Sequence, residues 1–157
     1  MKEIEIYTDG ACSCNPGIGG WGAVLIYKNY RKEISGSEKN TTNNRMELTA
    51  VIKALEMVKE PCIIKIFTDS KYVCDTIKNG WAENWRKNGW IKSDKKPALN
   101  SDLWEKLLDL LNQHKTKINW VKGHSGHPEN EICDKLATNE IKKLKNASIS
   151  FPPKIFE

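Results

Sequence analysis

No Cys-x-x-Cys pair occurs among the five cysteines, Cys12, Cys14, Cys62, Cys74 and Cys133. An odd count without that spacing argues against a disulfide framework and for reduced thiols. A secretory leader with an apolar centre is also missing, and together these absences predict a cytoplasmic protein. Nor is any apolar run long enough to cross a bilayer, so no membrane role is expected. With no coiled-coil pattern and no sticky surface pattern, the expectation is a monomer without an obligate protein partner. Acidic residues do not quite balance basic ones: the net charge is +5 and the pI near 8.9. That excess favours an anionic partner, though only mildly.

What is present fits one domain with a real core. It is expected over residues 1–145, with an irregular tail over 146–157 that contains Pro152 and Pro153. Ile4 to Asp9 reads as a strand, a glycine-containing loop follows, and Trp21 to Tyr27 reads as a second strand. Lys28 to Arg31 reads as a hairpin turn into a third strand that ends near Ser37. Thr41, Thr42, Asn43 and Asn44 offer N-caps for a helix whose stripe is Val51, Ala54, Leu55 and Val58 and whose end is marked by Pro61. A strand over Ile63 to Phe67, helices near Ser70–Lys78 and Leu103–Leu111, a strand over Lys117 to Val121 and a helix from Pro128 to about Leu144 complete the order. The chain is therefore α/β, with a five-stranded mixed sheet flanked by helices. Strands 1–3 are antiparallel, and strands 4 and 5 are added parallel to strand 1 through helical crossovers.

Two strands end alike, Ile4-Glu5-Ile6-Tyr7-Thr8-Asp9-Gly10 and Ile64-Lys65-Ile66-Phe67-Thr68-Asp69-Ser70. The carboxyl ends of parallel strands are where open α/β sheets place their chemistry. On neighbouring strands the two aspartates stand roughly 5 Å apart. Such a pair repels unless a cation lies between, and two divalent metals about 3.5–4 Å apart suit the cleavage of phosphodiesters. Glu47 is a third carboxylate, on the helix face that must turn toward the sheet. It either binds metal or caps its own helix by reaching back to the Asn43 or Asn44 amide. Asp134 is a fourth, at the edge of the last helix's apolar face, where periodicity serves Glu129, Glu131 and Glu140 equally well.

His124 lies on a glycine-flanked loop and could shuttle a proton beside such a cluster, whereas His127, next to Pro128, reads as structural. A zinc site from Cys12, Cys14, His124 and His127 is disfavoured by the Cys-x-Cys spacing. The segment of about 81–98 interleaves Trp81, Trp85 and Trp90 with Arg86, Lys87, Lys92, Lys95 and Lys96, a composition suited to a phosphate backbone. Trp81 and Trp90 are expected to pack on the domain, with Trp85 and the cations turned partly toward a ligand.

Several motifs in one order resemble ribonuclease H of type 1, particularly the bacterial form. They are Tyr7-Thr8-Asp9-Gly10, Asn15-Pro16-Gly17, Thr42-Asn43-Asn44-Arg45-Met46-Glu47-Leu48, Thr68-Asp69-Ser70 and Trp120 through Glu131, with Cys133-Asp134. The resemblance runs from about Ile4 to Ala137 and implies the ribonuclease H-like fold. It implies an endoribonuclease that hydrolyses the RNA strand of RNA–DNA hybrids and leaves 5′-phosphate and 3′-hydroxyl ends. By the same resemblance Asp9, Glu47, Asp69 and Asp134 hold metal, two Mg²⁺ with substrate present or Mn²⁺ as a substitute. His124 assists proton transfer or product release. Asn15, Asn43 and Asn44 meet the hybrid's minor groove, Thr42 helps grip a DNA phosphate, and the basic segment with Trp85, Arg86 and Lys87 is a substrate handle.

Two positions depart from the pattern. Cys14 stands where the family usually has Gly, and Lys71 stands where bacterial relatives commonly have Gln, which places a cation near the substrate. A non-catalytic hybrid-binding module would need a missing carboxylate, and none is missing. A DNA nuclease or integrase shares the acidic cluster, but the Asn43-Asn44 pair and the tryptophan-rich segment argue against it.

Overall fold

A computed structural model describes residues 1–123 and 126–149. Its elements, in chain order, are β1 (Glu3–Cys12), β2 (Gly17–Tyr27), β3 (Tyr30–Thr41), α1 (Asn43–Glu56) and β4 (Ile63–Thr68). After these come α2 (Lys71–Lys78), α3 (Trp81–Lys87), α4 (Ser101–Asn112), β5 (Lys115–Trp120) and α5 (Pro128–Ile149). The sheet order is β3-β2-β1-β4-β5. β1, β2 and β3 form an antiparallel meander, and β1, β4 and β5 run parallel. This is the mixed five-stranded sheet the sequence predicts. No described helix is long and apolar enough to cross a membrane.

Of the boundaries that differ from those expected, three bear on the site or the tail. β2 begins at Gly17, because the glycines before Trp21 are paired strand residues and not loop; a register shift between Gly17 and Gly19 absorbs the irregularity. β3 runs on to Thr41 as the partner of that extension. α5 continues to Ile149, so residues 146–149, expected to be irregular, are helical. Nothing between Leu144 and Ile149 is Gly or Pro, and Pro152 is the first residue that must stop a helix. The rest of the expected tail lies outside the described residues.

One face of the sheet carries the main core. Ile6, Ile64 and Ile66 pack with Leu48, Val51 and Leu55 of α1 and with Trp104 and Leu107 of α4, all fully buried. Each such side chain is worth about 1.5–3 kcal/mol of burial. The Trp104 indole keeps its N–H satisfied by the Tyr72 hydroxyl at 2.8 Å. α5 covers the other face, against β1, β2 and β3, and comes unusually near to β2. A β-carbon on Gly22 would stand 2.6 Å from Leu136 Cβ and 2.7 Å from the Cys133 carbonyl oxygen.

Candidate active site

In-register pairing of β1 and β4 matches Tyr7 with Phe67 and Thr8 with Thr68, and the two rings stack at 4.7 Å. Asp9 and Asp69 follow at the same level, as the repeated strand endings predict. Asp9 lies opposite Gly22 and so shares the face covered by α5. Gly10 points to the other face, where its missing side chain lets α1 touch the strand: a β-carbon there would lie 2.4 Å from the Glu47 nitrogen. That contact brings Glu47 to Asp9. Capping is done by Thr42, whose hydroxyl accepts the Arg45 N–H at 3.3 Å, and the Asn43 N–H, one of the two amides the alternative role would use, donates to Asn15 Oδ1 at 2.9 Å.

Ligand atoms of Asp9, Glu47 and Asp69 all lie within 4.8 Å of one another. Glu47 is only 9% exposed, and its Oε2 has no hydrogen-bond partner. Asp9 is 5% exposed and accepts the Gly10 N–H at 2.9 Å. Burial, then the charge of Asp69, then that of Asp134, raises the Asp9 carboxyl to about 8. Burial first, followed by Asp9 and Asp69, drives Glu47 well above the usual carboxylate range. Three carboxylates arranged to oppose one another's ionisation, with one oxygen orphaned, fit a divalent cation.

Asp134 lines the same cleft of about 430 Å³ with Asn43, Asn44, Ser70 and Lys71, but it stands outside the tight trio. Two of its three rivals on α5 are otherwise engaged: Glu129 holds Arg31 at 2.7 Å, and Glu140 accepts the Ser35 hydroxyl at 3.0 Å. The third, Glu131, is exposed and does not line the cleft. Among the described residues the metal-capable group contains no cysteine or histidine. Larger hollows of about 720 and 770 Å³ open around Lys2, Ile4 and Tyr27 at the opposite end of β1, away from the carboxylate group.

Of the asparagines expected to meet a ligand, Asn43 and Asn44 line the cleft with the trio, and Asn15 adjoins Asn43. Asn15 Oδ1 accepts the Asn43 N–H at 2.9 Å, tying the β1–β2 loop to the start of α1. Arg45 is held by Asp102 through bonds of 3.0 and 2.7 Å, which fixes the start of α1 against α4. The Lys71 ammonium sits 4.9 Å from the centre of the Trp120 ring. Sequence reasoning quoted Trp120 only as the start of a motif and gave it no role; its signal is its place at the end of β5, level with Thr68. His124 lies outside the described residues. His127 is exposed, and its carbonyl oxygen accepts the Glu131 N–H at 3.0 Å at the start of α5, a structural contact.

The basic segment differs from expectation. Trp81, expected to pack, is 45% exposed, because it opens α3 on the outside of the turn at Gly80. Trp85, expected to face a ligand, packs partly against the main core. Trp90 packs there as well and donates its indole N–H to Glu105 at 3.0 Å. Arg86 is engaged by Asp109 at 2.8 Å, with Glu83 and Glu105 within 4.0 Å. Lys87, Lys95 and Lys96 are exposed.

Comparison with known proteins agrees with this geometry. A family profile described as RNase H matches residues 1–142. A Ribonuclease H of Desulforamulus reducens is 58% identical over 143 residues, covering 91% of this chain and 90% of the relative. One from Rhizobium etli is 53% identical over 152 residues, 96% of this chain and 100% of the relative. Among solved structures, LC9-RNase H1, a type 1 RNase H with the type 2 active-site motif, superposes with a TM-score of 0.80 at 29% identity. That match covers 90% of this chain and 73% of the other. LC11-RNase H1, crystallised in complex with RNA/DNA hybrid, shares the fold at 23% identity with a TM-score of 0.67, covering 90% of this chain and 98% of that one. Carboxylate trio, sheet order and close relatives coincide, and the chain belongs to the RNase H family of metal-dependent nucleases.

Proposed function

We propose that this chain hydrolyses the RNA strand of RNA–DNA hybrids by a two-metal-ion mechanism, leaving 5′-phosphate and 3′-hydroxyl ends. The observation that carries the reading is the buried, unpartnered Glu47 oxygen beside Asp9 and Asp69. Those three side chains would hold Mg²⁺, or Mn²⁺ in its place, and Asp134 adds a fourth carboxylate from α5 once substrate is bound. Held by these residues, the metal would supply Lewis-acid activation of a water and charge compensation at the leaving 3′-oxygen.

Everything else is done by the chain's own groups. Asn15, Asn43 and Asn44 stand beside the carboxylates and offer amide donors and acceptors to a 2′-hydroxyl, the group that distinguishes RNA from DNA. Thr42, half-buried at the start of α1, keeps its hydroxyl proton for a phosphate of the DNA strand while its oxygen caps the helix. Lys71 adds positive charge at the rim. His124, four residues before Pro128 in the sequence, moves a proton or speeds product departure. Exposed cations of the basic segment extend the contact along the backbone. We further read the chain as a cytoplasmic monomer, a compartment in which its five cysteines would stay reduced.

The test is an incubation of labelled RNA–DNA hybrid, duplex RNA and duplex DNA with Mg²⁺, with an EDTA lane beside them. Cleavage of the hybrid's RNA alone, abolished by EDTA, is the expected result. Cutting of duplex DNA, or no cutting with either Mg²⁺ or Mn²⁺, defeats the proposal.

A further inference from the structure

Trp120 closes β5 level with Thr68, the last residue of β4. It is 41% exposed, so filling the core does not explain it. Its indole N–H donates to the main-chain oxygen of Asp69 at 3.1 Å. The next N–H along, that of Ser70, donates to the Thr68 hydroxyl at 3.0 Å. Both edges of the Asp69–Ser70 peptide are thus held by side chains, and that peptide sets the direction in which the Asp69 carboxylate leaves the backbone. The Lys71 ammonium stands over the ring of the same tryptophan, 4.9 Å from its centre, within cation–π range. Lys71 also lines the carboxylate cleft. One exposed indole therefore touches a metal-site residue through its N–H and a cation at the cleft rim through its face.

We propose that Trp120 is a positioning residue of this cleft: it fixes the Asp69 carbonyl and holds the Lys71 ammonium where it meets a phosphate of the nucleic acid. The proposal rests on the nucleic-acid reading given above. Lysine is a flexible cation whose stem has many rotamers. An aromatic face beside it narrows that choice before substrate arrives, so less freedom is lost on binding. A tryptophan that only shields the sheet end would leave the two contacts without separable effects.

Two substitutions separate the contacts. Trp120→Phe keeps a ring for Lys71 and removes the N–H, whereas Trp120→Leu removes both. With hybrid binding followed by fluorescence anisotropy in EDTA, Trp120→Phe stays within about twofold of the parent, while Trp120→Leu and Lys71→Ala each bind about two- to fivefold more weakly. Adding Lys71→Ala to Trp120→Leu costs nothing more, because the lysine has already lost its hold. With metal present, Trp120→Phe loses about fivefold in kcat at unchanged KM, and its thermal transition needs more Mg²⁺ to rise. Trp120→Met takes the place of the leucine variant should that one not fold. Parental affinity in Trp120→Leu, or a further loss in the double variant, overturns the role assigned toward Lys71. Parental kcat and Mg²⁺ response in Trp120→Phe overturn the role toward Asp69. A parent protein that neither binds nor cuts the hybrid defeats the underlying reading, and this proposal with it, before any variant is compared.

Discussion

In the cleft, Asp9 and Glu47 are buried beside a third carboxylate, and the charge of Asp69 adds to burial in raising the proton affinity of both. Along the segment that begins at Trp81, Arg86 is ringed by Asp109, Glu83 and Glu105, and Lys92 lies 3.8 Å from Asp94. One region concentrates like charge out of water; the other spreads opposite charges at the surface. Exposed pairs of this kind are worth about 0–1 kcal/mol each, whereas buried like charges cost several times that unless a counter-ion arrives. The contrast separates a site built to wait for a cation from a surface where some cations are already paired and others, Lys87, Lys95 and Lys96, stand exposed.

The largest way to break that contrast is Asp69→Asn. Removing the charge but keeping the shape is expected to lower hybrid cleavage at least about a thousandfold, while affinity for the hybrid in EDTA changes little. Substantial turnover by this variant, or by Asp9→Asn, defeats the metal-site assignment. His124→Ala comes next, with turnover about 10- to 100-fold slower but not abolished, together with a changed pH–rate profile. An unaltered profile removes His124 from proton transfer.

A third expectation turns the cleft's frustration into a stability measurement. Asp9 keeps its proton to about 8 in the fold, against an ordinary value of 3.8. Between those values the folded state binds more protons than the unfolded chain, so in EDTA stability falls as pH rises toward 8. Asp9→Asn should then stabilise the metal-free protein at pH 8 by roughly 2 kcal/mol, read from urea unfolding, and should gain less at pH 5. A loss of stability at pH 8 shows that the charge was already compensated. The smallest effect sharpens the other region. Lys87→Ala is expected to make the salt dependence of hybrid binding shallower by about one ion, whereas Arg86→Ala, whose partner is Asp109, leaves that slope nearly unchanged. Equal slopes for both variants erase the distinction drawn here between paired and exposed cations.

How much of this was legible in the sequence depends on how local the cause is. The matched endings of β1 and β4 announced Asp9 and Asp69, because strand period and register alone place them. Glu47 stayed between two roles until the Gly10 contact with α1 was visible, although a glycine directly after Asp9 was there to be read. Asp134 could not be told from Glu129, Glu131 and Glu140 by spacing, since Glu129 and Glu140 are drawn off by Arg31 and Ser35 of another element and Glu131 is exposed outside the cleft lining. Trp81 was expected to pack and is exposed, while Trp85 is half-buried, its inner part against the main core. A seven-residue helix offers little periodicity, and which face of α3 turns inward is set by α2 and α4 around it.

The glycines of β2 carry a further consequence. At Gly22, and again at Gly20, where a β-carbon would fall 2.1 Å from the Ala137 carbonyl oxygen, α5 rests on bare backbone. With no flexible spacer between helix and sheet, the gap has almost no mechanical play. Asp134 is mounted on that helix, and Asp9 sits on the strand directly opposite Gly22. The two glycines therefore act as a gauge block that sets how far the fourth carboxylate stands from the other three. A single methyl group there would reset the instrument without touching any acidic residue.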